Sequence, residues 1–356
     1  MLRKRTRNTI LIAVPLLILL AFAIFLRMKA PPEPARLLPE SDAILYVDLK
    51  PLRTATHLDP KKSLPPADDP AYQHFVDATG FNFERDLDEV AIALHQMPDP
   101  KGPNGPVAFS AVFQGRIDRK KMGPYLASLA ISRETYEGNE ILSIPSDGRT
   151  VRVTFLGYDM VATSNMPTPE QIHSIVERYR TAALPSSGSS LLAERYGDVP
   201  LLSFAWGIGR LGLPFVIYPP PRYGSNQLQI MGLTLPIPAD ATFIASVGFD
   251  ANLATALAHS GSVHLRVDEI TTDAATAEAT TQTLQNLLNL YRTFQPYTQQ
   301  PTTREAAALQ LALHSLHIQH HSNRVQLSGT ASADIIRGLF SPTVHNLTTP
   351  NDSTTK

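Results

Sequence analysis

The chain is predicted to be an α+β protein, with an N-terminal transmembrane helix followed by two ferredoxin-like (split βαβ) lobes. Each lobe would be an antiparallel sheet covered by helices, the pair arising by internal duplication. Three observations predict this. A charge-free apolar run lies near the N-terminus, a proline-rich stretch follows it, and two later stretches repeat one order of strand and helix signals.

Residues 9–26 read TILIAVPLLILLAFAIFL, without a charge. At ~1.5 Å per residue they make ~27 Å of helix, enough for a hydrocarbon core of about 30 Å. Arg3, Lys4, Arg5 and Arg7 precede the run, which directs the N-terminus to the cytoplasm and the body to the extracytoplasmic side. The expected organisation is a basic tail (1–8), an inner-membrane anchor in contact with the lipid bilayer (9–26) and a Pro-rich linker (27–37). A cleavable signal peptide, cut after Ala21-Phe22-Ala23, is the alternative.

The first lobe is expected over 38–199. Val107 to Phe113 has strand composition, and Asp118 caps a helix with Met122, Tyr125, Leu126 and Leu129 on one face. Val151, Val153 and Phe155 alternate with polar residues, as a half-buried strand requires, and Met160 to Thr163 returns beside it. Thr168-Pro169-Glu170-Gln171 is a helix start signal, followed by Ile172, Ile175, Val176 and Tyr179 at helical spacing. The second lobe, over 238–340, repeats the order. Val263, Leu265 and Val267 alternate, Asp273 caps a long helix carrying Leu284, Leu287 and Leu288, and a hairpin turns at Ser322-Asn323. Residues 200–237 are expected to be a connector, and 341–356 a disordered tail.

Leu38-Pro39-Glu40-Ser41-Asp42-Ala43-Ile44-Leu45-Tyr46-Val47-Asp48-Leu49 opens the body. Together with Thr79-Gly80-Phe81, Arg85-Asp86-Leu87-Asp88 and Phe155-Leu156-Gly157-Tyr158-Asp159, it resembles an uncharacterised group of bacterial membrane-anchored extracytoplasmic proteins. The resemblance covers the first third of the body. It implies an exported α+β protein and brings no activity or site residues.

Charge and motifs narrow the functions. The first 30 residues hold six basic groups and no acid; the remaining 25 Lys and Arg face 32 Asp and Glu, a net of −7. Such a body repels a phosphate backbone, so no nucleic acid is expected as partner. With no cysteine there is neither thiolate chemistry nor Cys-ligated zinc. Dinucleotide, phosphate-loop and nucleophile-elbow patterns are missing from the sequence, and no cofactor is expected. His314, His317, His320 and His321 are the densest chemistry. On a strand His317 and His321 share a face, so these two with His314 are the candidate metal ligands. Trp206, Tyr218 and Tyr223, around Pro219-Pro220-Pro221, are candidates for binding an envelope protein or a glycan. The leading expectation is a non-catalytic binding or structural module of the cell envelope. The alternative is an envelope metal-dependent hydrolase using 314–321.

Overall fold

A computed structural model describes residues 30–56, 70–102, 105–146, 148–181, 188–210, 227–230, 233–236, 241–249, 262–294, 310–311 and 313–332. Its centre is one antiparallel sheet of twelve strands, not two lobes. The strands lie in the order β13-β14-β12-β11-β8-β1-β2-β3-β7-β6-β5-β4. These are β1 (Ala43–Asp48), β2 (Leu87–Gln96), β3 (Val107–Gly115), β4 (Ser132–Tyr136), β5 (Asn139–Ser146), β6 (Arg149–Leu156) and β7 (Met160–Ser164). Then come β8 (Ser203–Arg210), β11 (Thr242–Phe249), β12 (Ser262–Ile270), β13 (His317–His321) and β14 (Arg324–Ser332). Between β8 and β11, β9 (Gln227–Ile230) and β10 (Leu233–Pro236) form a separate ribbon.

The repeated order of elements is present, but inside one sheet. On one side β1, β2 and β3 form a meander, a helix crosses over, and the chain returns through β4 to β7 with β7 against β3. On the other, β8, β11 and β12 form a meander, a helix crosses over, and β14 returns against β12. The halves merge because β8 pairs with β1 on one edge and β11 on the other. This corrects the two-lobe expectation, and it puts the start of the expected connector, β8, in the middle of the sheet. Strands buried on both faces read as near-continuous apolar runs, and Phe204-Ala205-Trp206-Gly207-Ile208-Gly209 does so. A Cβ on Gly207 would meet Leu45 Cδ2 at 2.8 Å, so close strand packing is what requires that glycine.

Helices cover the β1 half on both faces. On one lie α1 (Glu33–Leu37), α6 (Glu170–Thr181) and α7 (Ser190–Arg195). Their Ala35, Leu37, Ile172, Ile175, Val176 and Leu192 join Ile44, Ala91, Val112, Leu156 and Ile208 in the main core. The other face packs under α2 (Leu49–Thr56), α3 (Pro70–Thr79), the short α4 (Phe83–Asp86) and α5 (Arg119–Leu129), around Phe75, Phe81, Met122, Val153 and Val161. The long α8 (Ala274–Phe294) lies on β13 and β14. The linker expected over 27–37 thus ends in a docked helix. Pro34 sits in the first turn, where its missing N–H costs nothing, and Leu37 and Leu38 are fully buried.

The anchor expected over 9–26, the basic tail before it and the tail over 341–356 lie outside the described residues. Among the described residues no helix is long and apolar enough to cross a membrane. Even α8, at 21 residues, is rich in Thr, Gln and Asn. The transmembrane, single-pass and inner-membrane expectations are therefore withdrawn.

Candidate functional site

Where the chain enters β8, local strain and exposed apolar surface coincide. A single 3-10 turn (Tyr196–Asp198) leads to Pro200-Leu201-Leu202-Ser203, a four-residue turn closed by the Ser203 N–H donating to the Pro200 carbonyl at 3.3 Å. Leu202, third in that turn, has φ +70°. Turns of this shape give the position to glycine, because a Cβ there crowds the backbone at about 1–2 kcal/mol. Leu202 nonetheless stands 57% exposed and Leu201 52%. Both line a recess of about 290 Å³ with Tyr196, Gly197, Val199, Pro200 and Ser203.

The next residues explain how the recess is braced. The β8–β11 register shifts at Val247/Gly248, leaving Phe204 as the extra residue between Ser203 and Ala205. This bulge lets Phe204 and Trp206 point to opposite faces although they are two apart. Phe204 packs on Phe249 at 4.7 Å between centroids, with Val263. Trp206 stacks on Tyr46 at 5.3 Å and meets the edge of Tyr196 at 5.4 Å, so one wall of the recess touches the only tryptophan of the chain. The Tyr46 hydroxyl donates to Glu89 at 3.0 Å. Burial first, then the Glu89 and Asp48 charges, push its ionisation far up, so it remains a neutral donor. Burial alone does the same to Tyr196. A Cβ on Gly248 would stand 3.1 Å from the Leu202 carbonyl oxygen; a side chain there would push the strained turn outward.

An ion network ties the 3-10 turn to the far half of the sheet. Asp268, fully buried on β12, accepts Arg266 Nε at 3.0 Å on both oxygens and Arg324 Nη1 at 3.3 Å. The other Arg324 nitrogen reaches Asp198. Two arginines therefore compensate the buried carboxylate and the turn carboxylate together.

A second polar cluster sits under α1. His95 Nε2 lies 3.0 Å from Ser110 Oγ, and Ser110 Oγ lies 3.0 Å from Ser164 Oγ. The pairing is that of a nucleophile and its base. However, Ser110 and Ser164 are 0% and 1% exposed, so no substrate reaches them. The cluster satisfies polar groups where β2, β3 and β7 end, and the neighbouring Asn165 Oδ1 accepts the Phe109 N–H at 2.7 Å. Burial holds the His95 imidazole below the usual histidine range, against a smaller opposing pull from Asp42.

Of the residues singled out by sequence, Trp206 is 4% exposed and presents no face to a partner. Tyr218 and Tyr223 lie outside the described residues. His317 and His321 do share one face of β13, but four residues apart, about 13 Å along a strand. His314 is helical, just before the turn that leads into β13, with its carbonyl accepting Arg292 at 3.0 Å. One metal ion needs its nitrogens at about 2 Å, so the fold does not bring these three together. Among the described residues no group of three His, Asp or Glu could hold a metal. Leu201 and Leu202 escaped the sequence reading; the signal was Pro-Leu-Leu-Ser, a turn whose glycine position holds leucine.

No protein-family model matches the chain, and no curated protein does. It is similar to three crystal forms of TP0453. Form I gives a TM-score of 0.42 at 13% identity, covering 88% of this chain and 100% of that one. Form III gives 0.41 at 11%, covering 86% and 97%, and form IV gives 0.39 at 11%, covering 88% and 98%. Likeness at this level carries neither fold nor function.

Proposed function

We propose that the chain is a non-catalytic binding module whose recess at the start of β8 takes an apolar side chain of a partner protein. The observation that carries this is Leu202, a leucine held left-handed and exposed at the mouth of the recess. Strained backbone persists where the surrounding structure over-determines it, and such positions cluster at ligand clamps. The bulge, the aromatic trio and the Arg324–Asp198 pair are that surrounding structure. At about 290 Å³ the recess lies just below the ~300–1,000 Å³ of small-molecule sites, a size suited to one side chain. The placement in the cell envelope rested on the anchor and is not carried forward.

The single tryptophan makes the test direct. Titration with anilinonaphthalene sulfonate, an apolar fluorophore, is expected to give saturable energy transfer from Trp206. Leu201→Asp should abolish the transfer while leaving the far-UV circular dichroism unchanged. Equal transfer in that variant, or none in the unaltered protein, rejects the recess as a binding site.

A further inference from the structure

Residues 196–197 and 199–203 line the recess. Asp198, between them, is turned elsewhere: its carboxylate reaches Arg324 on β14, 126 positions away in the chain. Asp198 ends the 3-10 turn, whose following Val199 N–H donates to the Tyr196 carbonyl at 3.1 Å. That turn carries Tyr196, whose ring meets Trp206, and it leads into the turn that holds Leu202 left-handed. A pull on Asp198 is therefore a pull on the recess wall.

Arg324 stands on a fixed post. The residue before it, Asn323, lies at the tip of the β13–β14 hairpin and is pinned to Thr271, just ahead of α8. The Thr271 N–H and hydroxyl both donate to the Asn323 carbonyl at 2.9 Å, and Asn323 Nδ2 donates back to the Thr271 carbonyl at 3.0 Å. Thr271 itself is buried. The guanidinium is held as well. Its Nη1 lies 3.3 Å from the buried Asp268, which already accepts Arg266 through Nε at 3.0 Å and Nη2 at 2.8 Å. Arg266 thus supplies most of the compensation for Asp268, and the second Arg324 nitrogen is left for Asp198. The rigid fork of arginine holds two carboxylates in one geometry, which the point charge of a lysine does not reproduce.

We propose that Arg324 is the positioning residue of the recess, tying its wall to the β13–β14 hairpin through Asp198. For binding, this rests on the recess being a site. Without the pair the 3-10 turn samples more arrangements, and a ligand must select the competent one, which lowers its apparent affinity. Coupling of this kind is reciprocal. An apolar group in the recess favours the turn in which Asp198 faces Arg324, and that turn in turn steadies β14. Neutralising Asp198 leaves Asp268 compensated by both arginines, so the effect separates from that of an unpaired buried charge.

The full chain would be titrated with N-phenylnaphthylamine, an apolar fluorophore that accepts energy from tryptophan. It is uncharged, so charge substitutions reach it through geometry. Asp198→Asn and Arg324→Gln should each weaken its binding about two- to thirtyfold, the range of couplings carried by such networks. In the doubly substituted protein the losses should not add, and Asp198→Glu should restore part of the affinity. Additive losses overturn the proposal, because Arg324 would then act through general stability. So does unchanged affinity in either single variant. Amide hydrogen exchange tests the positioning apart from binding. The Val199 and Ser203 N–H groups, which close the two turns, should exchange faster in both variants. Saturating fluorophore should slow the β14 amides of the unaltered chain and not those of Asp198→Asn. Exchange at Val199 and Ser203 that neither substitution changes overturns the proposal. Faster exchange without any fluorophore binding rejects the recess as a site and retains Arg324 as the residue that positions its wall.

Discussion

The two halves of the sheet share a three-strand meander, a crossover helix and a return beside the third strand. One has seven strands and the other five, however, and they differ in the helices packed on them. Strands β1 to β3 and β5 to β7 are packed on both faces, and Ile44, Val112, Ile141, Leu156, Ile172, Ile175 and Val176 are at or near zero exposure. Among the described residues, α8 lies against β13 and β14. Across these strands run rows of polar side chains: Arg266, Ser328 and His317; then the buried Asp268, Gln326 and Gln319. The strained leucine turn sits at the junction, and the histidine-bearing β13 is the last of the described strands at the far end. Among the described residues, burial is concentrated where helices close both faces. Four measurements can break or sharpen that division.

The largest effect is expected at the seam. Trp206 packs both Tyr46 and Tyr196, so Trp206→Ala should cost about 3–5 kcal/mol in urea unfolding followed by circular dichroism. A single transition should remain, since β8 belongs to both halves. Two separated transitions would mean that the halves fold independently and that the single-sheet description overstates their coupling.

Next comes the contrast between halves. Ile175→Ala, in the covered half, should destabilise by about 2–5 kcal/mol. Leu265→Ala on β12, where the side chain is 40% exposed, should stay within about 0.5 kcal/mol. Comparable losses at the two positions would remove the asymmetry.

The halves should also respond oppositely to pH. His95, in the covered half, has its folded pKa held below the unfolded value near 6.5. Above that pH both states are neutral and nothing is lost. Below it the unfolded chain binds a proton the folded chain refuses, so stability falls as pH falls. Glu269, in the open half, is 8% exposed, has one carboxylate oxygen without a hydrogen bond, and is raised by burial. Its stabilising share is present below the unfolded pKa near 4.3 and is lost as pH rises through the folded value. Glu269→Gln should therefore stabilise at neutral pH and change little near pH 4. Melting temperatures across pH would show whether the signs oppose; a stabilisation by Glu269→Gln that does not vary with pH would contradict the assignment.

The smallest effect is the most local. Leu202→Gly relieves the left-handed strain, against the extra backbone freedom of glycine, and should raise stability by at most about 1 kcal/mol. The same change should weaken the fluorophore transfer at the recess. A clear loss of stability would show that Leu202 contributes packing and is not held under strain for exposure.

Much of the local structure was legible. Asp118 caps α5 through the Lys120 N–H at 3.0 Å, and Asp273 caps α8 through the Thr276 N–H at 2.8 Å. Ile172, Ile175 and Val176 are fully buried, as their spacing required. The hairpin at Ser322-Asn323 forms, with Ser322 at φ +53°. Less legible was the β4–β5 hairpin: its turn, Glu137-Gly138, has φ of +50° and +81°, yet β4 carries almost no apolar residue to signal a strand. The histidines were correctly assigned to one face, but spacing along a strand keeps them apart.

By itself, then, the sequence determined the periodic elements, their caps and their order in each half, because these depend on neighbours within a few residues. Only the tertiary structure decided that β8 joins the halves. Which edges find partners is set by residues over a hundred positions apart, as Ile44 and Ile208 are. It likewise decided the bulge that turns Phe204 and Trp206 to opposite faces, and the exposure of a left-handed leucine beside a recess. Strain and exposure are properties of a residue's surroundings, and one-dimensional patterns do not contain them.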